Sequence, residues 1–345
     1  MDIKHLQFSF RMYWANMKGL LNMAAEGIIL VASLASLFIL VYQFGFKYSA
    51  HVTHMLEASR VYLLLAFFTG ISLRYILKFK EIIQEKMLYL DIGIYFFLFA
   101  VLSGKVFFKE AIHQSLPYLS FLTEPLFVYF LLLLLSAIHL SRQTFTLLQS
   151  HIKPSLLFLL SFVFVILVGS GLLMLPNATV HGIHFVDALF ISTTSVCVTG
   201  LVVCDTGTYW SSFGHAVILL LIQTGGLGVV TISASFTILS GKKIGLSQRS
   251  IMAESVAAPQ LRGVVRLTGF IVRVTLGIEL IGALLMAPVF CRDFGLFRGL
   301  WMSLFHSVSA FCNAGIDLLG VRGAYSSLTS YAYDPLINLV IILLI

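Results

Sequence analysis

The chain has 345 residues, of which 59% are hydrophobic and only 11% are charged, and its mean hydropathy is +0.98. Soluble domains average about 25% charged residues, so this composition excludes an ordinary soluble enzyme and a disordered chain. The formal net charge of +7 is spread between long apolar runs and is not clustered as in a nucleic-acid-binding protein. The composition predicts a membrane protein whose surroundings are a lipid bilayer, with no nucleic acid among its partners.

Apolar runs long enough for a helix to cross a bilayer recur along the chain. Such a helix needs about 20 apolar residues. The three clearest runs are 28–46, 156–175 and 214–239, none of which contains Asp, Glu, Lys or Arg. Four less clean runs are 61–77, 87–104, 125–140 and 267–288, and an eighth begins near Leu336 and reaches Ile345. We therefore expect an all-α polytopic membrane protein that either is truncated within its last helix or needs a partner there.

Basic residues in the connecting segments indicate the orientation of these spans. With the N-terminus in the cytoplasm, fourteen Lys and Arg residues fall on the cytoplasmic side and seven on the outer side, as the positive-inside rule requires. The first span lacks a small-residue cleavage site behind it and is taken as a retained helix. Residues 1–150 are thus predicted to form four N-terminal transmembrane helices with a cytoplasmic N-terminus, and residues 241–263 a cytoplasmic loop.

Between the spans 156–175 and 214–239 lies an apolar stretch that is too short to cross the membrane. As a helix, residues 185–194 would be about 15 Å long, half of the bilayer core. Such a half-helix can enter the membrane only if the chain returns as irregular backbone that is buried in protein or lines water. The following residues, 195–201, are small and partly polar, and Gly200 can adopt a positive φ. The segment is predicted to be a half-helix with a return loop.

The same unit occurs a second time. A shift of 115 residues places Leu189, Phe190, Ser192, Cys197 and Gly200 on Leu304, Phe305, Ser307, Cys312 and Gly315. Internal repeats are common in transporters and channels. We therefore expect a first helix–pore loop–helix repeat over 151–240 and a second over 264–345, incomplete at its last helix.

The predicted half-helix with its return loop is suited to binding a cation. A half-helix that enters from outside directs the negative end of its dipole toward the membrane centre. Backbone returning from there can present successive carbonyl oxygens that replace the water shell of a cation, if its dihedral angles alternate. An anion site would use N–H groups, Lys or Arg, and no Lys or Arg lies between Pro176 and Ser240. The pattern predicts a cation filter; the alternative is a re-entrant loop with a structural role.

Four motifs surround these loops. They are STTSVCVTGL at 192–201, DTGTYW at 205–210, QTGGLG at 223–228 and FCNAGID at 311–317. From about residue 156 onward the chain resembles the Trk/Ktr/HKT superfamily of potassium transporters, and in it the TrkH/KtrB-like pore subunit. The resemblance implies helix–pore loop–helix repeats (M1-P-M2) around a pseudo-fourfold pore, of which two are present. It also implies potassium uptake across the cell (inner) membrane, a homodimer, and a cytosolic nucleotide-binding regulatory subunit of the TrkA/KtrA type.

The filter residues follow from the two return loops. We expect backbone carbonyls to bind the transported K⁺ at Val196, Cys197, Val198, Thr199, Gly200, Cys312, Asn313, Ala314 and Gly315. A Na⁺-permeable or Na⁺-coupled member of the family is the alternative within the class, and a structural or scaffold membrane protein is the alternative outside it. No resident cofactor is expected. The chain has no HExxH, no GxSxG and no paired intramembrane Asp, so an enzyme is not expected.

Five further residues near the loops have two interpretations each. Gly225, Gly226 and Gly228 fall near the middle of a span, where they could line the pore at a gate or allow close helix packing. Asp205 and Asp317 follow the two filters. They could be outer-mouth acids that concentrate cations, or carboxylates that stabilise turns.

Two more polar residues are expected in particular surroundings. Glu279 lies inside a span, where an ionisable side chain is a functional candidate that needs a partner on another element. His306, at the end of a span, is expected at the membrane interface.

Overall fold

The computed structural model describes residues 3–82, 88–106, 124–147, 154–229, 231–232, 234, 238, 246–256 and 263–345. Within these ranges the chain is helical, and its one β-feature is an isolated bridge between Thr179 and Trp210. The predicted all-α class is therefore confirmed. Of the predicted loop 241–263, residues 246–256 and 263 are described and include a helix, Leu246–Ser255; the rest lies outside the described residues, as does 107–123 in the N-terminal region. The chain divides into two compact units.

Among its described residues, the first unit contains four helices: α1 (Ile3–Gly45), α2 (Ala50–Ile82), α3 (Leu88–Val106) and α4 (Pro125–Leu147). They overlap the four predicted N-terminal spans. The first helix begins well before the predicted residue 28, because no proline interrupts the less apolar residues 3–27. Its apolar part is Met17–Gly45. Buried side chains such as Leu64, Phe67 and Leu98 form the core of this unit.

The second unit contains both predicted repeats. Its elements are α5 (Pro154–Leu173), α6 (Phe185–Val196), α7 (Thr206–Tyr209), α8 (Ser212–Leu227), α9 (Leu246–Ser255), α10 (Val264–Phe294), α11 (Leu296–Phe311) and α12 (Pro335–Leu344), with 3₁₀ turns at Leu319–Val321 and Ser327–Tyr331. Twice, a helix follows a longer apolar helix and precedes a further apolar one: α6 follows α5 and precedes α8, and α11 follows α10 and precedes α12. We call α6 and α11 the short helices. In the part of the chain that the structure describes, Met17–Gly45, His51–Leu77 and Val264–Phe294 are long and apolar enough to span a membrane, and six shorter apolar helices accompany them.

Each short helix is anchored to the long helix that precedes it by one serine. The Ser192 hydroxyl of α6 donates to the carbonyl of Ile166 in α5 at 2.7 Å, and the Ser307 hydroxyl of α11 donates to the carbonyl of Glu279 in α10 at 2.6 Å. A glycine makes room on each long helix, because a Cβ on Gly169 or Gly282 would lie 2.5 Å from the serine oxygen. The two anchors place Ile166 and Glu279 at equivalent positions.

The predicted continuous span 214–239 is interrupted. Helix α8 begins at Ser212 because the Ser211 side chain accepts from the backbone N–H groups of Phe213 and Gly214, both at 3.1 Å. It ends at Leu227, since Gly228 has φ 81° and leaves the helical region. Described residues beyond this break, from Val229 to Ile238, are again helical.

Candidate functional site

Both short helices end in the same hydrogen-bonded turn. After α6, the N–H groups of Cys197, Val198 and Thr199 donate to the carbonyls of Thr193, Ser195 and Thr194 at 2.8, 3.4 and 2.9 Å. After α11, the N–H groups of Cys312, Asn313 and Ala314 donate to the carbonyls of Val308, Ala310 and Ser309 at 2.9, 2.9 and 2.8 Å. Every donor and every acceptor differs by the same 115 residues that relate the sequence motifs. The repetition in sequence is therefore also a repetition in backbone structure.

The backbone of each turn has positive φ at alternate residues. The φ angles are 52° at Val198 and 79° at Gly200, and 58° at Asn313 and 68° at Gly315. Positive φ is uncommon outside glycine, and for a β-branched residue such as valine it costs of order 1–3 kcal/mol. Alternating dihedral angles are what a ladder of carbonyls facing one side requires, and both turns have them.

The two turns lie against each other. A Cβ on Gly200 would be 2.5 Å from the carbonyl oxygen of Ala314 and 3.7 Å from the Cα of Gly315. A side chain at Gly200 is therefore excluded both by its φ and by the neighbouring backbone. At Gly315 a Cβ would meet nothing within 4 Å, so only φ favours glycine there.

Hydroxyl groups on the short helices support the return segments. The Thr194 hydroxyl lies 2.8 Å from the Thr199 hydroxyl and accepts from the N–H of Leu201 at 3.0 Å. At the equivalent place in the second turn, the Ser309 hydroxyl donates to the carbonyl of Ile316 at 2.5 Å. Each turn is thus closed by a side chain from its own short helix.

The glycines of α8 pack behind the two turns. A Cβ on Gly225 would collide with the carbonyl of Val196, and a Cβ on Gly226 would collide with the Cys312 side chain, 2.7 Å from its Cβ. These contacts correspond to the close-packing interpretation, with the two turns as the packing partners. Gly228 instead ends the helix with its positive φ.

The candidate outer-mouth acids form hydrogen bonds to backbone. Asp205 is 9% exposed and caps α7, where its carboxylate accepts from the N–H and the hydroxyl of Thr208, both at 3.1 Å. Its other oxygen accepts from the N–H of Tyr325 at 2.6 Å. Asp317 accepts from the N–H of Leu319 at 2.8 Å. Both carboxylates stabilise the segments that follow the turns.

The structure brings a polar group to the second turn that the motifs did not assign. Glu279, on α10, accepts from the side-chain amide of Gln223 at 3.0 and 3.1 Å and lies 3.9 Å from the Cys312 sulfur. Gln223 is the first residue of the QTGGLG motif, in which only the glycines received a role from sequence. An amide one helical turn before Gly226 was the available signal, because the two residues share a helix face.

The expectation for His306 is wrong. Its ring is 4% exposed and stacks on Phe290, with ring centroids 5.1 Å apart. One ring nitrogen lies 2.7 Å from the carbonyl of Met302, and the other accepts from the N–H of Leu318 at 3.3 Å. His306 therefore joins α11 to the chain after the second turn. No group of three or more His, Cys, Asp or Glu that could hold a metal ion occurs among the described residues.

The fold and the site are those of an all-α, multi-pass membrane protein in which two short helices end in matching turns that meet. The family model described as "TrkH: Cation transport protein" matches residues 160–345, more than half of the chain. The chain belongs to this family, which confirms the predicted superfamily. Members of the family are ion transporters of the cell membrane and not enzymes.

Curated relatives match about half of the chain. The chain is 41% identical over 174 residues to the "Potassium/sodium uptake protein NtpJ" of Enterococcus hirae, which covers 50% of this chain and 39% of that protein. It is 40% identical over 188 residues to the "Ktr system potassium uptake protein B" of Bacillus subtilis, covering 54% of this chain and 41% of that protein. A protein of the same name from Vibrio alginolyticus is 36% identical over 180 residues, covering 52% and 38%. The matched region thus spans about two fifths of the length of these relatives.

Proposed function

We propose that this chain forms part of a potassium uptake pore and that the two turns are part of its selectivity filter. In this proposal the backbone carbonyls of Val196–Gly200 and Cys312–Gly315 bind dehydrated K⁺. The observation that carries the proposal is the contact between two turns that share one hydrogen-bond pattern and one alternation of φ. Relatives named as potassium uptake proteins support the choice of ion.

Electrostatics favours a cation at this place. Both short helices end at the turns, so the negative ends of two helix dipoles converge there. Lys and Arg are absent from the sequence between Pro176 and Ser240, and from 299–321 around the second turn. A cation that loses its water shell between the turns would be stabilised by these dipoles and by peptide oxygens.

The test is rubidium uptake by the full-length protein in bacteria that lack their own potassium uptake systems. We expect Gly200→Ala to reduce uptake at least about tenfold, because a positive φ alone costs an alanine about 1–2 kcal/mol and its Cβ would press on the Ala314 carbonyl. Gly315→Ala, which has the φ cost without the collision, should reduce uptake less.

The matched control is Gly171→Ala, on α5, where a Cβ would meet nothing within 4 Å. It should leave uptake unchanged. Equal uptake by the Gly200→Ala protein and the wild type, at equal amounts in the membrane, would contradict the filter assignment.

Sodium transport is the second candidate, because one relative is named a potassium/sodium uptake protein. Measuring radioactive sodium uptake in the same cells distinguishes the two. Uptake of rubidium that excess sodium does not inhibit supports a potassium filter, and comparable uptake of both ions supports a sodium-permeable one.

We also propose that the protein works with a further subunit, since three relatives are named as components of a "Ktr system". The sequence resemblance suggests a cytosolic nucleotide-binding regulatory subunit and a homodimeric pore. Size measurement of the purified full-length protein, alone and after affinity capture from its native membrane, tests both.

A further inference from the structure

Glu279 is a buried carboxylate in the middle of a membrane helix. It is 3% exposed and lies halfway along α10. Its two oxygens accept from the Gln223 amide nitrogen at 3.0 and 3.1 Å. Removing a charge from water is costly unless hydrogen bonds compensate it, and ionisable residues within spans therefore occur mainly where they have a function.

The same residue connects three elements at the second turn. Its carboxylate joins α8 through Gln223 and accepts from the Cys312 thiol at 3.9 Å. Its backbone carbonyl accepts from Ser307 on the short helix α11 at 2.6 Å. Gly226, three residues after Gln223 on α8, lies directly against Cys312. Cys312 is the first residue of the second filter segment, so Glu279 lies immediately behind that segment.

The first repeat shows that this arrangement does not need a carboxylate for helix packing. Ile166 occupies the equivalent place on α5, because its carbonyl accepts from Ser192 as that of Glu279 accepts from Ser307. The neighbouring glycines, Gly169 and Gly282, are equivalent as well. An apolar side chain therefore suffices for the contact between long and short helix, and the carboxylate in the second repeat has another effect.

We propose that Glu279 is a positioning residue for ion selection: with Gln223 it fixes Cys312, and through Cys312 the second filter turn, in the geometry that distinguishes K⁺ from Na⁺. This inference rests on the proposed function. Glu279 does not touch the ion; it acts through the turn. The Gln223 amide can donate to both oxygens of a carboxylate but to only one atom of a second amide, so Glu279→Gln weakens the link while keeping the size of the side chain.

Two measurements test the proposal in the full-length protein. The first is inhibition of rubidium uptake by sodium, compared at equal amounts of protein in the membrane. The second, independent of transport, is the rate at which a membrane-permeant maleimide alkylates Cys312 when Cys197, Cys204 and Cys291 are serine. Loss of a charge-assisted hydrogen bond should make sodium about tenfold more inhibitory and alkylation about tenfold faster in Glu279→Gln.

The exchanged pair provides the rescue. Gln223→Glu combined with Glu279→Gln restores one amide–carboxylate pair between α8 and α10, and both measurements should return toward wild type. Glu254→Gln, which neutralises an exposed carboxylate on α9, is the matched control and should change neither.

Several outcomes would overturn the inference. One is unchanged sodium inhibition and alkylation in Glu279→Gln; another is an exchanged pair that assembles but does not recover. If Glu279→Gln only lowers the amount of protein in the membrane, with normal sodium inhibition per molecule, Glu279 is architectural. A wild-type protein that takes up no rubidium would instead contradict the proposed function, while faster alkylation of Cys312 in the variant would still show the link to the turn.

Discussion

The first and second short-helix segments, 185–200 and 296–315, end in the same type of backbone turn but carry different side chains there. At the first position of positive φ the first segment has Val198 and the second has Asn313, with φ 52° and 58°. Asparagine tolerates this left-handed region, whereas a β-branched valine does not adopt it without support. The common backbone therefore costs more in the first segment, and its surroundings must stabilise it more strongly.

The support behind the two turns differs accordingly. Behind the first turn, Gly225 lies against the Val196 carbonyl, which is backbone. Behind the second, Gly226 lies against the Cys312 side chain, which itself faces Glu279. The first turn is thus held by close backbone packing, and the second by side chains that can be exchanged. The backbone of the turn is shared, and the means of holding it is specific to each repeat.

The largest expected effect comes from substitutions that test this difference between the two turns directly. Gly225→Ala places a Cβ on the backbone carbonyl of Val196, which cannot move without distorting the first turn. Gly226→Ala meets a side chain, so a smaller partner should relieve it. We expect Gly225→Ala to abolish rubidium uptake, and Gly226→Ala to reduce it about tenfold, equivalent to about 1.4 kcal/mol.

A second substitution, at Cys312, distinguishes the two glycine variants. Cys312→Ala should recover part of the uptake lost in Gly226→Ala and none of that lost in Gly225→Ala. Equal losses in the two glycine variants, or rescue of both, would mean that the two turns are supported in the same way.

Much of the fold, but less of the candidate site, could be predicted from the sequence. Apolar runs predicted the long helices, and the ten-residue stretch 185–194 predicted a short helix that the structure extends to Val196. Gly200 predicted a positive φ, because residues with a side chain rarely adopt that region. Nothing comparable predicted positive φ at Val198, which neighbouring structure imposes. The position of Gln223 was a signal for a role beside Gly226, but its pairing with Glu279 could not be predicted, since it joins residues 56 positions apart and depends on how α8 lies against α10.

A second prediction sharpens the comparison at the residues with positive φ. Asn313→Val should destabilise the protein by about 1 kcal/mol, because valine adopts the left-handed region at a cost of about 1–2 kcal/mol. Val198→Asn should be neutral or stabilising for the reverse reason. Thermal unfolding of the purified full-length protein in detergent measures both. Equal shifts for the two exchanges would contradict the idea that the first turn is the more strained.

The smallest expected effect concerns the chain that follows the second turn. Tyr331 donates its hydroxyl proton to Asp293 at 2.9 Å, and Arg322 also pairs with Asp293. The Tyr331 ring lies edge-on to Phe290, and the Arg322 guanidinium lies 4.6 Å from the centroid of the Tyr331 ring. Tyr331→Phe keeps these ring contacts and removes only the hydroxyl donor. We expect it to lower stability at neutral pH by about 0.5–1.5 kcal/mol, the usual net contribution of one hydrogen bond.

The pKa of Tyr331 determines how the stability effect of Tyr331→Phe should change with pH. Burial first, and then the hydrogen bond to Asp293, raise the pKa of Tyr331 above its ordinary value. The folded protein therefore holds the phenol proton more tightly than the unfolded chain does. The stabilisation is complete below about pH 10, where tyrosine titrates in the unfolded chain, and it declines as the pH rises toward the folded-state value. The difference in unfolding temperature between wild type and Tyr331→Phe should thus be constant from pH 7 to about pH 9 and shrink above about pH 10. A difference that grows in that range would mean that the hydroxyl does not donate to Asp293.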